Sequence, residues 1–267
     1  MVDSNAAIGI FDSGVGGLTV FARVAQRLPH ESIIYLGDTA RVPYGTKSGE
    51  TVQRYAAACA NVLVSRGIKM LVVACNTASA HALETLRKDL DVPVIGVIMP
   101  GAQAAVERTR NGRIGVIGTA STIGSKAYDD AILGLAPSAR VFSKACPLFV
   151  PLAEEGWVDG AVPRQVARIY LEELLDNGVD TLVLGCTHYP LLRDILEETV
   201  GAQVSLVDSA EATSHAVAAM MDELCLSRDP NASLEYTYLV TDAPENFARV
   251  GERFLGHAIS PVEWVDV

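Results

Sequence analysis

The chain lacks a surplus of positive charge: 21 lysines and arginines stand against 32 aspartates and glutamates, a formal net charge of −11. It also has no long run of either sign. Binding to a phosphate backbone needs a basic patch, so nucleic acid is excluded as the main partner. An anionic membrane surface is disfavoured for the same reason. An acidic total still permits an acidic small substrate, because a local pocket can differ from the net field. Long apolar runs are missing too, and nothing reads as a membrane span. The opening "MVDSNAAIGIFDSG" has no basic region followed by an apolar stretch, so no signal peptide is expected. There are five cysteines, an odd number, with no CxxC. That pattern points to free thiols in a reducing compartment, the cytoplasm.

What is present is ample apolar material: 49% of 267 residues, enough for one large core or two smaller ones. The runs "AIGIF", "SIIYLGD", "KMLVVAC", "VPVIGVI", "RIGVIGT", "ARVFSKACP", "TLVLGCT" and "AQVSLVD" are short and β-branched. Helical spacing fills most gaps between them. In "ETVQRYAAACANVLVSRG" the apolar positions Val52, Tyr55, Ala56, Cys59, Val62 and Leu63 recur at i, i+3, i+4 and i+7. "RQVARIYLEELLDNG" behaves likewise and should stop at Asn177-Gly178. Strand alternating with helix predicts an α/β fold with mostly parallel sheets.

The chain also carries two pairs of similar segments, explained by duplication or by the chance likeness of strand-turn-helix units. "IGIFDSGVGG" starts at Ile8 and "IGVIGTASTIG" at Ile114, an offset of 114 − 8 = 106. "LVVACNTASA" and "LVLGCTHYPL" place their cysteines at 75 and 186, an offset of 186 − 75 = 111. Nearly equal offsets predict two pseudo-symmetric, doubly wound halves with a cleft between them. The expected division is 1–97 plus 210–267 against 98–209.

Ligands of doubly wound sheets sit beyond the carboxyl ends of the strands. Cys75 and Cys186 both fall at such an end, each before an expected helix start. Asn76 or Thr77 could cap the first of these helices and Thr187 the second, with Pro190 in its first turn. Free N–H groups and the helix dipole would lower a thiol pKa from about 8.5. Buried structural cysteines are common, but two thiols in matched positions suit acid/base work on opposite faces of one carbon. The glycine-rich "DSGVGG" turn could bring backbone N–H groups close to a carboxylate. Cys59 reads as core, Cys146 and Cys225 carry no motif, and the five lysines read as surface residues.

Four segments in order, "GIFDSGVGGLTV", "YLGDTARVPYG", "VVACNTASA" and "LGCTHYPLL", resemble the signatures of the glutamate racemase family, within the aspartate/glutamate racemase superfamily. The resemblance spans Ile8 to about Asp208. It implies cofactor-independent interconversion of L- and D-glutamate, supplying D-glutamate for peptidoglycan, with no metal. It implies that Cys75 and Cys186 are the two acid/bases, assisted by Asp12 and His188 respectively. Cys75 would serve D-glutamate and Cys186 L-glutamate. Glu154 resembles a family glutamate near the site, although Glu155 adjoins it. Substrate would bind through Asp12-Ser13, Tyr44-Gly45, Asn76-Thr77 and Thr187-His188, with Thr119 and Thr122 added. Some members carry a longer N-terminal region linked to an activator. Few residues precede the first strand here, so that regulation is not expected. A homodimer fits the usual two-fold symmetry of such enzymes.

Several rivals remain. A zinc site from Cys75, Cys186 and His188 lacks the usual paired spacings. A phosphatase would want a second carboxylate where Gly14 stands. A pyridoxal enzyme would need a lysine motif. Aspartate racemase and a non-catalytic two-lobed binding protein stay open. The purified protein should racemise glutamate with a metal chelator present and show no pyridoxal absorbance band. Loss of activity on chelation, restored by zinc, would overturn that expectation.

Overall fold

The computed structural model describes residues 3–267; Met1 and Val2, counted above with the first unit, lie outside the described residues. The strands are β1 (Ile8–Asp12), β2 (Ile33–Gly37), β3 (Met70–Val73), β4 (Val94–Gly96), β5 (Arg113–Gly118), β6 (Arg140–Ala145), β7 (Thr181–Gly185), β8 (Ser205–Asp208), β9 (Tyr236–Val240) and β10 (Val262–Trp264). The first eight fall on the eight expected runs. Neither β9 nor β10 was among them. "YTYLV" has ordinary strand composition, whereas β10 is three residues at a sheet edge, two of them exposed, and leaves no apolar signature.

Two parallel sheets result, ordered β10-β9-β2-β1-β3-β4 and β6-β5-β7-β8. Without β9 and β10, the first order repeats in the second, strand for strand. The register repeats as well. Ile8 lies opposite Met70, and Ile114 lies opposite Thr181. These pairs are separated by the offsets of 106 and 111 seen in the sequence. The fold is therefore α/β, in two pseudo-symmetric parallel halves.

Burial on both faces explains the near-continuous apolar strands. In β1, Ile8 and Ile10 face one core with Leu18, Phe21 and Val24 of the helix Leu18–Arg27. Phe11 faces the other, with Val52, Ala56, Cys59 and Leu63 of the helix Gly49–Ser65. The period of two sends alternate residues to opposite layers. In the second half the helix Ala161–Asp176 ends at Asn177, and Gly178 follows with φ +66°, the expected stop.

The chain crosses between halves twice. After β4 the helix Ile98–Arg108 packs Ile98, Ala102 and Ala105 onto the second sheet. After β8 the helix Ser209–Glu223 returns Ala210, Val217 and Met221 to the first core. On these grounds we propose the division 1–97 plus 210–267 against 98–209. None of the described helices is long and apolar enough to cross a membrane.

One lysine departs from the surface expectation. Lys69 is wholly buried at the amino ends of the strands. Its ammonium pairs with Glu31 at 2.5 Å and donates to the carbonyls of Ser4 and Leu226 at 2.6 and 2.8 Å. All three donors are used, which is the condition for burying a charge. Glu31 also accepts from the Arg228 N–H at 2.8 Å. The pair thus ties the start of the chain and its last segment to one sheet. Lys69→Met should destabilise the protein by about 3–5 kcal/mol by leaving Glu31 buried and unpaired. Urea unfolding would measure this, and a loss under about 1 kcal/mol would show the pair to be dispensable.

Candidate active site

A cavity of about 360 Å³ lies where the carboxyl ends of the two sheets meet. Cys75 and Cys186 both line it, one from each half. Ser13, Tyr44, Gly45, Asn76, Thr77 and Thr119 contribute to its wall, as do Glu154, Thr187 and His188. Asp12 and Thr122 do not line it but sit one layer behind, Asp12 with no exposure at all. A larger groove, about 650 Å³, runs along the helices Ile98–Arg108 and Ser209–Glu223 and holds neither thiol. The site belongs with the smaller cavity, because that is where the matched strand ends converge.

The first side is built on β1 and β3. Cys75 itself caps the helix Asn76–Asp89, its sulfur accepting from the Ala78 N–H at 3.5 Å. Neither Asn76 nor Thr77 caps, contrary to the sequence expectation; both are already in the helix. The Cys75 thiol donates to Ser13 Oγ at 3.6 Å. Burial, reinforced by the Asp12 charge, pushes the Cys75 thiol up to about 12. That reverses the expected lowering: desolvation outweighs one helix amide when a carboxylate stands close by. Asp12 is itself raised by burial, against the opposing pull of His188 and of the Gly17, Gly14 and Ser13 amides. Its Oδ2 accepts from the Gly14 N–H at 3.1 Å, so one amide of the glycine-rich turn is spent on Asp12.

The second side is built on β7. The backbone after Cys186 makes a short 3₁₀ turn, Tyr189–Leu192, with no side-chain cap, before the helix Arg193–Val200 begins. Thr187 therefore does not cap, although Pro190 sits in the first turn as expected. In place of a long helix, Cys186 faces His188, whose Nδ1 lies 3.9 Å from the sulfur. His188 Nε2 reaches Glu154 Oε1 at 2.9 Å. It is Glu154, not its neighbour Glu155, that makes this contact. Burial alone would lower the imidazole, but hydrogen bonds to Cys186 and Glu154 and their charges prevail, raising it to about 10. That direction favours the protonated ring, in which both nitrogens donate.

The seam between the halves is polar. The Thr77, Thr119 and Thr122 hydroxyls form a triangle with 3.0 Å edges. Thr19 donates to the carbonyl of Thr187 at 3.1 Å. Tyr128 donates to Asn76 Oδ1 at 2.7 Å, which turns the amide so that Nδ2, buried and without a partner, is left as a free donor. An ideal Cβ on Gly16 would lie 2.4 Å from both Thr187 Oγ1 and His188 Nδ1. Only glycine permits that approach.

Outside the sequence-derived set, Val42, Pro43, Pro147, Val150 and Pro151 also line the cavity. Val42 and Pro43 lie inside the quoted "YLGDTARVPYG" segment; the others carry no pattern that separates them from ordinary loop residues. Cys59 and Cys146 are buried away from the cavity, and Cys225 is exposed. Among the described residues no cluster of three or more His, Cys, Asp or Glu side chains is arranged to hold a metal ion.

The sequence model of a family described as Asp/Glu/Hydantoin racemase matches residues 13–217. A glutamate racemase of Geobacter metallireducens is 57% identical over 261 residues, covering 98% of this chain and 97% of that protein. Among solved structures, glutamate racemase isoform RacE1 from Bacillus anthracis superposes with a TM-score of 0.95 at 41% identity, covering 98% of each chain. The Francisella tularensis glutamate racemase, solved in complex with D-glutamate, gives 0.92 at 39%, again over 98% of each.

The local electrostatics are testable directly. Asp12→Asn removes the anion beside Cys75, so Cys75 should react with iodoacetamide several-fold faster at about pH 9. Peptide mass spectrometry would follow the labelling; an unchanged or slower rate would show that Asp12 does not hold the thiol up.

Proposed function

This chain belongs to the Asp/Glu/hydantoin racemase family, and from that premise we propose that it interconverts L- and D-glutamate, with Cys75 and Cys186 as the two acid/base groups. The observation that carries this reading is the pairing of the thiols. They follow β3 and β7, equivalent strands of the two halves, and line one cavity from opposite sides. A symmetric binding protein needs two lobes but has no use for two matched thiols.

The proposed step is a proton transfer across one carbon. A thiolate on one side takes the α-proton, and the C–H electron pair spreads onto the substrate carboxylate. The thiol on the other side then gives its proton to the opposite face, inverting the centre. The two sulfurs exchange protonation states, and exchange with solvent resets them. Charge accumulating on the carboxylate needs donors fixed in advance. The free Nδ2 of Asn76 and the hydroxyls of Ser13, Thr77 and Thr187 supply them. The substrate ammonium, opposite in sign to Asp12, would offset the carboxylate that holds the Cys75 proton in place. On the far side, Glu154 orients His188, and His188, when protonated, presents a positive charge to Cys186.

Within this reading Cys75 takes the proton from D-glutamate and Cys186 from L-glutamate. Tyr44 and Gly45 close the substrate pocket, and the Thr119 and Thr122 hydroxyls buttress Thr77. The product serves peptidoglycan synthesis, in the cytoplasm, where five free thiols persist; the working unit is a homodimer.

Cys75→Ala and Cys186→Ala should each lower racemisation at least about a thousandfold while leaving the circular-dichroism spectrum unchanged. Cys59→Ala should stay active. Substantial turnover in either single thiol variant would defeat the two-thiol scheme, and L- and D-aspartate run alongside would expose a different substrate. Mirror-image substrates have an equilibrium constant of unity, so Asp12→Asn and His188→Asn must lower kcat/KM equally in both directions. They should differ in isotope effect. Asp12→Asn should raise it with 2-deuterated D-glutamate, and His188→Asn with 2-deuterated L-glutamate; equal rises would remove the assignment of faces.

A further inference from the structure

The last segment of the chain carries no recognisable motif, yet one of its helices reaches the site. The helix Pro244–Leu255 buries Phe247, Val250, Gly251 and Phe254 along one face. Its seating is tight. An ideal Cβ on Gly251 would lie 2.5 Å from Ile259 and 2.8 Å from Leu18. Phe247 packs on Tyr35 with ring centroids 5.8 Å apart, and the Tyr35 hydroxyl donates to the Gly14 carbonyl at 2.8 Å, inside the turn after β1. Two helical turns later, Phe254 meets the His188 ring edge-to-face, with centroids 5.4 Å apart and planes at 89°. Its neighbour Arg253 donates to the backbone carbonyl of Glu154. That carbonyl belongs to the last turn of the helix Phe149–Glu155, where a cation both satisfies an orphan acceptor and complements the dipole.

Adjacent residues of the first half thus hold the two members of one hydrogen-bonded pair in the second. We propose that Phe254, with Arg253, is a positioning element for the His188–Glu154 pair, so that the C-terminal helix sets the geometry of the Cys186 side. The inference rests on the two-thiol reading above. An imidazole held through its two nitrogens alone, by Glu154, a sulfur 3.9 Å away and the Thr187 hydroxyl at 3.5 Å, can still rock about its bond to the backbone. The Phe254 ring blocks that motion from the side, and Arg253 keeps the Glu154 backbone from following it. Neither residue touches the reacting carbon, so their effect must pass through His188.

The test is the deuterium isotope effect on kcat/KM with 2-deuterated L- and D-glutamate, measured on the full chain. Phe254→Leu and Arg253→Gln are compared with His188→Asn and Asp12→Asn. Phe254→Leu should lower kcat/KM about tenfold. Its isotope effect should rise with the same enantiomer that responds in His188→Asn, and not with the one that responds in Asp12→Asn. Arg253→Gln, on the exposed side of the helix, should show a smaller shift with the same enantiomer and decides the matter if Phe254→Leu does not fold. A general loss of packing would slow both proton transfers alike and move neither ratio. Isotope effects in both variants that stay at wild type, or rise equally for both enantiomers, overturn the proposal while leaving the two-thiol reading intact. Absence of any enantiomer preference in His188→Asn overturns the two-sided reading and this inference with it.

Discussion

The site depends on how closely the turn after β1 can approach the turn after β7. With Gly16 against the Thr187 and His188 side chains, the first half adds no side chain of its own at that point, and an added Cβ would have only 2.4 Å. That approach lets Thr19 bond the Thr187 carbonyl across the seam and brings the Asp12 and His188 charges within influence of each other. Since each turn is fixed to its own parallel sheet, separating them by the width of a methyl group would move one whole wall of the cavity relative to the other. A contact packed this closely shifts as a unit rather than yielding locally.

Symmetry of fold does not extend to symmetry of charge. The strand order and register repeat, but Cys75 faces a buried carboxylate while Cys186 faces an imidazole whose pKa is raised and which is backed by a second carboxylate. The difference originates in the backbone. After β3 the chain enters a helix of 14 residues and the cysteine becomes its cap; after β7 it makes a four-residue 3₁₀ turn that brings His188 round to the sulfur. A two-base reaction benefits from such inequality, because at any moment one group must hold the proton that the other lacks.

Much of this was legible in the residues. Seven of the eight short runs gave strands because a strand buried on both faces must be apolar, β6 at a sheet edge being only partly buried, and the Asn177-Gly178 stop gave a helix end because the left-handed turn there favours glycine. The offsets of 106 and 111 carried the duplication down to its register. Other features were hidden. Lys69 resembles any surface lysine in sequence; only Glu31, Ser4 and Leu226, brought from three distant places, make its burial tolerable. β10 is too short and too exposed to leave a pattern. The Cys75 thiol is raised rather than lowered, which the residues hide because a helix terminus can be read locally, whereas desolvation and a neighbour 63 positions away, at Asp12, cannot.

The sequence by itself determined the α/β class, the parallel sheets, the two matched thiols and the small polar residues that flank them, since each follows from local periodicity or from residues adjacent in the chain. Tertiary structure alone decided that Glu154 rather than Glu155 meets His188, that Asp12 lies behind the cavity wall rather than in it, and that Phe254 and Arg253 from the far end of the chain press on the same pair. Those outcomes depend on which surfaces two separately wound sheets present to each other, and no pattern along one strand or helix encodes the contact between them.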